Sequence, residues 1–235
     1  MAQTNQPASK VGASKADGSM TAGSKVVTVS ATYGAGGSIV APKLAALLGL
    51  PFFDRLVHVQ SPQTPDERVE RIVERLTKEE HSQAPSGRLM ASLTHLGSGL
   101  GLPTSSPDDM DPRRQLRRRV EDSVTRIATE PEGGVILGRA AAVVLAAAPR
   151  AFHVRLHGPV DRCRAQGAAL EGVTDEVARV HQHESDRAWT RFVTRLFDRE
   201  PGDPKLYHLM IDSTAVPLDR CVELIAVAAN GFWER

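Results

Sequence analysis

The chain has 235 residues, of which 41% are hydrophobic and 24% are charged, and its 29 basic and 28 acidic side chains leave a formal net charge of +1. This length suits one or two domains with a sizeable core. The near-neutral charge argues against general binding to nucleic acid or to a membrane surface, which needs a net basic footprint. Arginine outnumbers lysine by 23 to 6, which fits either codon bias or a site that binds phosphates through planar guanidinium groups.

The cysteines and the composition of the N-terminal residues indicate the cellular compartment. Cys163 and Cys221 form no CxxC or His-linked pattern, so the sequence indicates neither a disulfide framework nor a zinc site. Residues 1–24 lack the apolar run of a secretory signal and predict a disordered tail. No run approaches the roughly 18 apolar residues of a membrane span. We therefore expect a cytoplasmic protein with reduced cysteines, folded over residues 25–235.

Strands and helices alternate along the chain. We predict strands at residues 25–30, 50–53, 135–137, 151–156 and 209–212. Predicted helices begin after the glycine cluster that follows the first strand, at residue 65 (to about 81), at 111–112 (to about 129), at 140 (to 148), at 159, at 174 (to about 197) and at 218 (to 229). Residues 82–110 are rich in Gly, Ser and Pro and predict a mobile loop. The alternation favours an α/β class with a parallel sheet covered on both faces.

A glycine cluster between the first strand and its helix is the first functional signal. A strand, a glycine-rich turn and a helix N-terminus together form a cradle for phosphate. Against the pattern GxxxxGK[ST], Gly36 fits the second glycine and Ser38 the hydroxyl residue, but Ala31 and Gly37 depart from the first glycine and the lysine. A turn that needs glycine for geometry alone remains the alternative interpretation.

Arginines follow two of the predicted strands. Asp54 and Arg55 come after the second strand and Arg139 after the third, and the ends of parallel strands line one ligand-binding crevice. Each could instead form a surface ion pair. Further along, Arg187, Arg191 and Arg195 recur every four residues on one predicted helix, which suggests either anion binding or a solvated face. For the basic run at residues 113–119 we favour a solvated face or a subunit contact.

These motifs resemble those of the cytidylate kinase-like family, within the P-loop nucleoside monophosphate kinase superfamily. The similarity lies in residues 27–38, 50–55, 135–139, 186–187 and 207–214, and it spans roughly residues 25–230. It implies a three-layer P-loop NTPase-type fold with a parallel sheet, a helical insertion at 65–130 that binds the acceptor, and a helical lid at 160–200. The implied reaction is phosphoryl transfer from ATP, with Mg²⁺, to CMP or dCMP.

The resemblance also implies roles for individual residues. The donor phosphates and ATP would be bound by Gly34, Ala35, Gly36, Gly37 and Ser38, with Ser38 near the Mg²⁺ ion. The acceptor nucleotide would face Asp54, Arg55 and Arg139. The lid would contain Arg162, Asp186, Arg187 and Arg191. Arg139, Arg187 and Arg191 would be the catalytic arginines, since charge stabilisation and positioning dominate phosphoryl transfer.

Two differences from the pattern of cytidylate kinases leave it undecided whether the chain catalyses phosphoryl transfer. Cytidylate kinases carry a lysine where this chain has Gly37 and an aspartate where it has Leu137, although members of the kinase-like subgroup commonly lack that lysine too. Three hypotheses follow: a kinase that uses arginines in place of the lysine, a nucleotide-binding regulatory module without turnover, and a structural protein with a vestigial site. The sequence leaves the acceptor base and homo-oligomer formation open.

Overall fold

The computed structural model describes residues 24–54 and 111–234. Residues 1–23 of the predicted tail, the predicted helix at 65–81, the predicted loop at 82–110 and Arg55 lie outside the described residues. Ser24, the first described residue, is buried and donates a hydrogen bond from its hydroxyl to the carbonyl of Ala128 at 2.6 Å.

The described strands form one parallel sheet of five strands in the order β2-β3-β1-β4-β5. Their bounds are β1 Val26–Ala31, β2 Phe52–Phe53, β3 Gly134–Leu137, β4 Ala151–His157 and β5 Leu209–Asp212. β1 lies at the centre between β3 and β4, and all its residues but the last are buried. Its β-branched run therefore matches the environment of a strand that is covered on both faces.

The described helices cover both faces of the sheet. Their bounds are α1 Gly37–Leu48, α2 Pro112–Thr129, α3 Ala141–Val144, α4 Val160–Glu171, α5 Asp175–Phe197 and α6 Leu218–Trp233, and a 3-10 turn spans Pro204–Leu206. One face of the sheet packs against α1 and α6. The other packs against α2, α3 and the C-terminal half of α5. This arrangement confirms the predicted three-layer α/β class.

Capping residues mark the beginning of two of the described α-helices. Asp111 and Thr174 cap α2 and α5 through their side chains, as the sequence predicts. α3 is shorter than the predicted 140–148 helix and has only four residues, because Ala140 adopts a left-handed conformation with φ 52° and the helix ends after Val144. α6 continues beyond the predicted end at 229 to Trp233, whose side chain is buried.

In residues 24–54 and 111–234, no helix has both the length and the apolar composition needed to cross a bilayer. The longest helix, α5, carries charged side chains along its whole length.

Candidate functional site: the glycine loop and its neighbours

The glycine loop, residues 32–36, connects the end of β1 to the start of α1. Gly34 and Gly36 have left-handed φ angles of 70° and 75°, which glycine adopts without a steric penalty. The hydroxyl of Ser213 donates to the carbonyl of Ala35 at 2.8 Å and ties the loop to the segment after β5. The glycine conformations allow this turn, and the Ser213 hydrogen bond anchors it.

Several amides of this loop are unpaired, although Gly36 and Gly37 are themselves buried. Among the described residues, the N–H groups of Gly34, Gly36, Gly37 and Ser38 donate to no protein acceptor, whereas that of Ala35 donates to the carbonyl of Thr32 at 3.2 Å. The Ser38 side chain is exposed at the first turn of α1. Free amides at the N-terminus of a helix fit an anion such as a phosphate.

The loop has no lysine to add to these amides. Gly37 stands at the lysine position, and Lys43 pairs through Nζ with the carboxylate of Asp219 on α6 at 2.6 Å. Lys43 is therefore directed toward α6. A bound phosphate would depend on backbone amides and on arginines for its positive partners.

The helix α4 packs directly against the loop. A Cβ atom on Gly34 would lie 1.8 Å from the carbonyl oxygen of Cys163, and one on Gly167 would lie 2.4 Å from the Tyr33 ring. Gln166 donates from Nε2 to the carbonyl of Gly34 at 2.8 Å. Glycines on both sides thus allow the loop and the helix to approach at backbone distance.

Tyr33 links the loop to both helices of the expected lid. Its hydroxyl donates to the Glu171 carboxylate on α4 at 2.9 Å, and the same carboxylate pairs with His181 of α5 at 2.9 Å. Its main-chain N–H donates to the Asp186 carboxylate on α5 at 2.8 Å. Burial raises the pKa of Asp186, while the Tyr33 N–H and the charge of Arg155 act in the opposite direction.

Arg139 connects the ends of two neighbouring strands. It is 2% exposed, with a left-handed φ of 56°, and its Nε donates to the carbonyl of Asp54 at 2.6 Å. Its Nη1 contacts the Ser123 hydroxyl on α2 at 3.3 Å. The structure thus brings Asp54 and Arg139 together, and it buries the Arg139 guanidinium between β2 and α2.

The three arginines of α5 lie on its solvent side. An α-helix turns by about 100° per residue, so Arg187, Arg191 and Arg195 lie about 100–180° around the helix from Asp186. All three are exposed, and no described residue pairs with them. The structure therefore brings Asp186 to the glycine loop but does not bring these arginines there.

Arg162 lies at the beginning of α4, beside the end of β5. Its Nη2 contacts the Asp212 carboxylate at 2.8 Å. The same carboxylate accepts the N–H and the hydroxyl of Thr214, which hold the pKa of Asp212 below its usual range together with Arg162. Arg162 thus lies on α4, whereas Arg187, Arg191 and Arg195 lie on α5.

Arg155 on β4 is a buried charge that the sequence analysis did not single out. It is 8% exposed, and its Nη1 contacts the Ser30 hydroxyl at 3.2 Å, the Pro201 carbonyl at 2.8 Å and the Tyr207 hydroxyl at 3.4 Å. The signal was present, because an arginine in the middle of a strand covered on both faces must be buried and must find acceptors.

A small cavity lies beside this arginine, under α5. Ser30, Gly138, Trp189 and Tyr207 are among its lining residues, and its volume is about 10 Å³. That volume has room for about one water molecule. Nucleotide-sized ligands need pockets of several hundred Å³, so this cavity among the described residues is too small to hold one.

Comparisons with known proteins confirm the resemblance seen in the sequence. The model of the cytidylate kinase-like family matches residues 26–215. No curated protein matches the chain. A crystal structure of an uncharacterized protein from Eubacterium ventriosum ATCC 27560 is similar, with 18% identity, a TM-score of 0.57, and coverage of 88% of this chain and 98% of that chain. That similarity concerns the fold alone.

Two kinase structures are less similar. A gluconokinase from Sinorhizobium meliloti 1021 has 16% identity, a TM-score of 0.45, and coverage of 89% of this chain and 94% of that chain. A shikimate kinase from Acinetobacter baumannii in complex with shikimate has 14% identity, a TM-score of 0.40, and coverage of 87% and 94%. Neither similarity bears on substrate.

Proposed function

The chain belongs to the cytidylate kinase-like family, and on that premise we propose that it is a nucleoside monophosphate kinase. The reaction moves the terminal phosphoryl group of ATP to the phosphate of a CMP-type or dCMP-type acceptor, which yields ADP and a nucleoside diphosphate. The observation that carries this proposal is the glycine loop at the junction of β1 and α1, with its unpaired amides and exposed Ser38.

The residues of the loop fit the donor. Gly34, Ala35, Gly36, Gly37 and Ser38 would hold the phosphates of ATP, and the Ser38 hydroxyl would bind the Mg²⁺ ion that accompanies them. Bound Mg²⁺ supplies neutralisation of the phosphate charge. The loop itself would position the donor, because the Ser213 hydroxyl and the Gln166 amide hold the carbonyls of Ala35 and Gly34 in place.

The acceptor and lid roles remain part of the proposal. Residues 65–130 would contain the acceptor-binding insertion, and Asp54, Arg55 and Arg139 would lie on the acceptor side. Residues 160–200 would act as the lid, with Arg162 and Asp186 in it and with Arg187 and Arg191 stabilising the transferred charge. Both side chains are exposed and face away from the loop, so this role requires the lid to move when the ligand binds.

A coupled assay with ATP, Mg²⁺ and a panel of nucleoside monophosphates tests the activity. We expect ADP and a diphosphate product with a cytidylate acceptor. Replacing Ser38 by Ala should lower turnover about 10²-fold or more if the hydroxyl holds the metal. Absence of turnover with every acceptor would refute the kinase proposal.

The lid roles are tested by comparing substitutions of three arginines on the same helix, α5. Arg187→Ala and Arg191→Ala should each lower kcat/KM, whereas Arg195→Ala should leave it unchanged, because Arg195 lies eight residues, about 12 Å, beyond Arg187 along α5. Equal effects from all three variants would contradict specific roles for Arg187 and Arg191 and would point to general electrostatic attraction.

A second candidate is a nucleotide-binding module without turnover. It is favoured by one observation: the lysine position holds Gly37, and Lys43, the nearest lysine along α1, is paired with Asp219. Nucleotide-dependent thermal stabilisation without any product would support this candidate. Steady formation of ADP that requires an acceptor would eliminate it.

A further inference from the structure

The carboxylate of Asp186 lies on the phosphate-binding loop itself. Its Oδ1 accepts the N–H of Tyr33 at 2.8 Å. Tyr33 belongs to the same glycine loop whose next amides, those of Gly34, Gly36 and Gly37, have no acceptor among the described residues. An anionic group of the chain therefore already lies at the rim of a cradle that is built for an anion.

The placement of Asp186 on α5 explains why this carboxylate stays there. Asp186 is half-buried and lies on the interior side of the helix, on the same side as the buried residues Gln182 and Val193, one turn before it and two turns after it. The backbone of α5 therefore directs the Asp186 side chain toward the protein interior. Its negative charge thus remains at the loop as long as α5 keeps its contact with α4 and Tyr33.

A phosphate chain bound to the loop would bring further negative charge close to this carboxylate. Like charges at short range repel strongly where solvent is partly excluded. P-loops with a lysine have a cation to offset such repulsion, but this loop has Gly37 there, and Lys43 is paired with Asp219. A carboxylate and a polyphosphate therefore compete for the same loop.

We propose that Asp186 is an internal competitor of the donor phosphates, so that tight binding of a polyphosphate requires the Asp186 carboxylate to leave the Tyr33 N–H. This proposal rests on the proposed function in one respect, namely that the loop binds phosphate; it does not require turnover. Release of Asp186 then couples occupation of the loop to the position of α5. The contact between Asp186 and the Tyr33 N–H is then present in the empty loop and broken in the loaded loop.

Tyr33 has a separate anchor, so a change at Asp186 does not release the whole loop. Its hydroxyl is bonded to Glu171 on α4 at 2.9 Å, and its ring packs on Gly167. Gln166 also holds the Gly34 carbonyl. An Asp186→Asn variant can still accept the Tyr33 N–H through its amide oxygen, so it removes the charge and keeps the hydrogen bond.

The experiment measures binding of inorganic tripolyphosphate and ATP by titration calorimetry to the full chain and to Asp186→Asn. The control is Glu176→Gln, which removes a carboxylate from the same helix ten residues earlier, where it pairs with Arg179 on the surface. We expect Asp186→Asn to bind both ligands about 5–150-fold more tightly, the usual range of coupling between two sites, and Glu176→Gln to stay within about twofold of wild type. Unchanged or weaker binding by Asp186→Asn overturns the proposal.

A measurement on the unsubstituted chain covers the case in which the variant does not fold. Carbon-13 spectra of the Asp186 carboxyl group and the amide resonance of Tyr33 report whether the two groups stay together. Both resonances should shift on addition of tripolyphosphate if the carboxylate is displaced. Binding of tripolyphosphate with both resonances unchanged overturns the proposal.

The outcomes separate this proposal from the kinase proposal. Tighter binding by Asp186→Asn in a chain that never turns over any acceptor supports the competitor and refutes the kinase. Turnover with ATP and no tightening refutes the competitor and leaves the kinase standing. No measurable affinity of either chain for tripolyphosphate or ATP refutes both, because the loop then binds no phosphate.

Discussion

Arg155 of β4 donates a hydrogen bond from Nη1 to the hydroxyl of Ser30, the residue opposite it in the register of β1, at 3.2 Å. Two residues earlier along both strands, the hydroxyl of Thr28 lies 2.8 Å from Nδ1 of its own register partner, His153. The face of the two central strands that packs under α5 therefore carries two polar pairs. Each pair satisfies a basic side chain that the sheet has removed from water.

Arg155→Ala should lower the free energy of unfolding by about 3 kcal/mol or more, because it leaves buried acceptors unpaired and opens a cavity. Arg155→Lys should recover less than half of that loss, since the lysine ammonium ends one bond nearer the backbone than the Nη1 atom that contacts the Ser30, Pro201 and Tyr207 oxygens. Urea denaturation measures both. Tyr207→Phe is the comparison and should lose only about 1 kcal/mol. A change below about 0.5 kcal/mol for Arg155→Ala would show that the network is dispensable.

His153 makes the stability of the protein depend on pH. Burial and the neighbouring His208 lower the pKa of His153 from 6.5 to about 4. The unfolded chain therefore binds a proton between pH 6.5 and 4 that the folded chain does not. With respect to this group, the free energy of unfolding should be highest above pH 6.5. It should decrease as the pH falls toward 4, by at most about 1.4 kcal/mol per pH unit for this one proton.

The variant His153→Gln tests this pH dependence. Glutamine offers both a donor and an acceptor in place of the ring nitrogens that contact Thr28 and the Leu145 carbonyl. Denaturation between pH 4 and 7.5 should show a shallower slope for this variant than for the wild type. The exposed His183→Gln is the control and should keep the wild-type slope. Equal slopes in all three chains would contradict the assignment.

Gly34→Ala should destabilise the protein far more than Gly49→Ala. Both glycines have left-handed φ angles, 70° and 65°, so both substitutions carry the conformational penalty of about 1 kcal/mol. A new Cβ at Gly34 would meet a backbone atom, the Cys163 oxygen at 1.8 Å, whereas at Gly49 no atom of the described residues lies within 4 Å. We expect a loss of about 3 kcal/mol or more at Gly34. Similar urea midpoints for the two variants would contradict the close contact of the loop with α4.

Both cysteines should resist a thiol reagent in the folded protein. Cys163 and Cys221 are free and buried, and burial raises the pKa of both thiols, so little thiolate is present or accessible near neutral pH. A chromogenic disulfide reagent should label neither cysteine in native buffer and both in concentrated guanidinium chloride. Rapid labelling of a cysteine under native conditions would show that α4 or α6 opens easily from the sheet.

Local sequence determined the order of the described elements and the place of the glycine loop. The β-branched run at 26–31, the glycines that follow it and the caps Asp111 and Thr174 act within a few residues, so their outcome depends little on the rest of the chain. The family also follows from the sequence, because its motifs recur in a fixed order over most of the chain.

Only the tertiary structure decided which side chains meet. The contact of Asp186 with Tyr33 joins residues 153 positions apart, and that of Arg155 with Ser30 joins residues 125 positions apart. No periodicity in either segment specifies such a partner, because the packing of α5 on the sheet and the strand order set it. The same packing turned the arginine face of α5 toward solvent and Asp186 toward the loop, since a helix in contact with a sheet buries only one side.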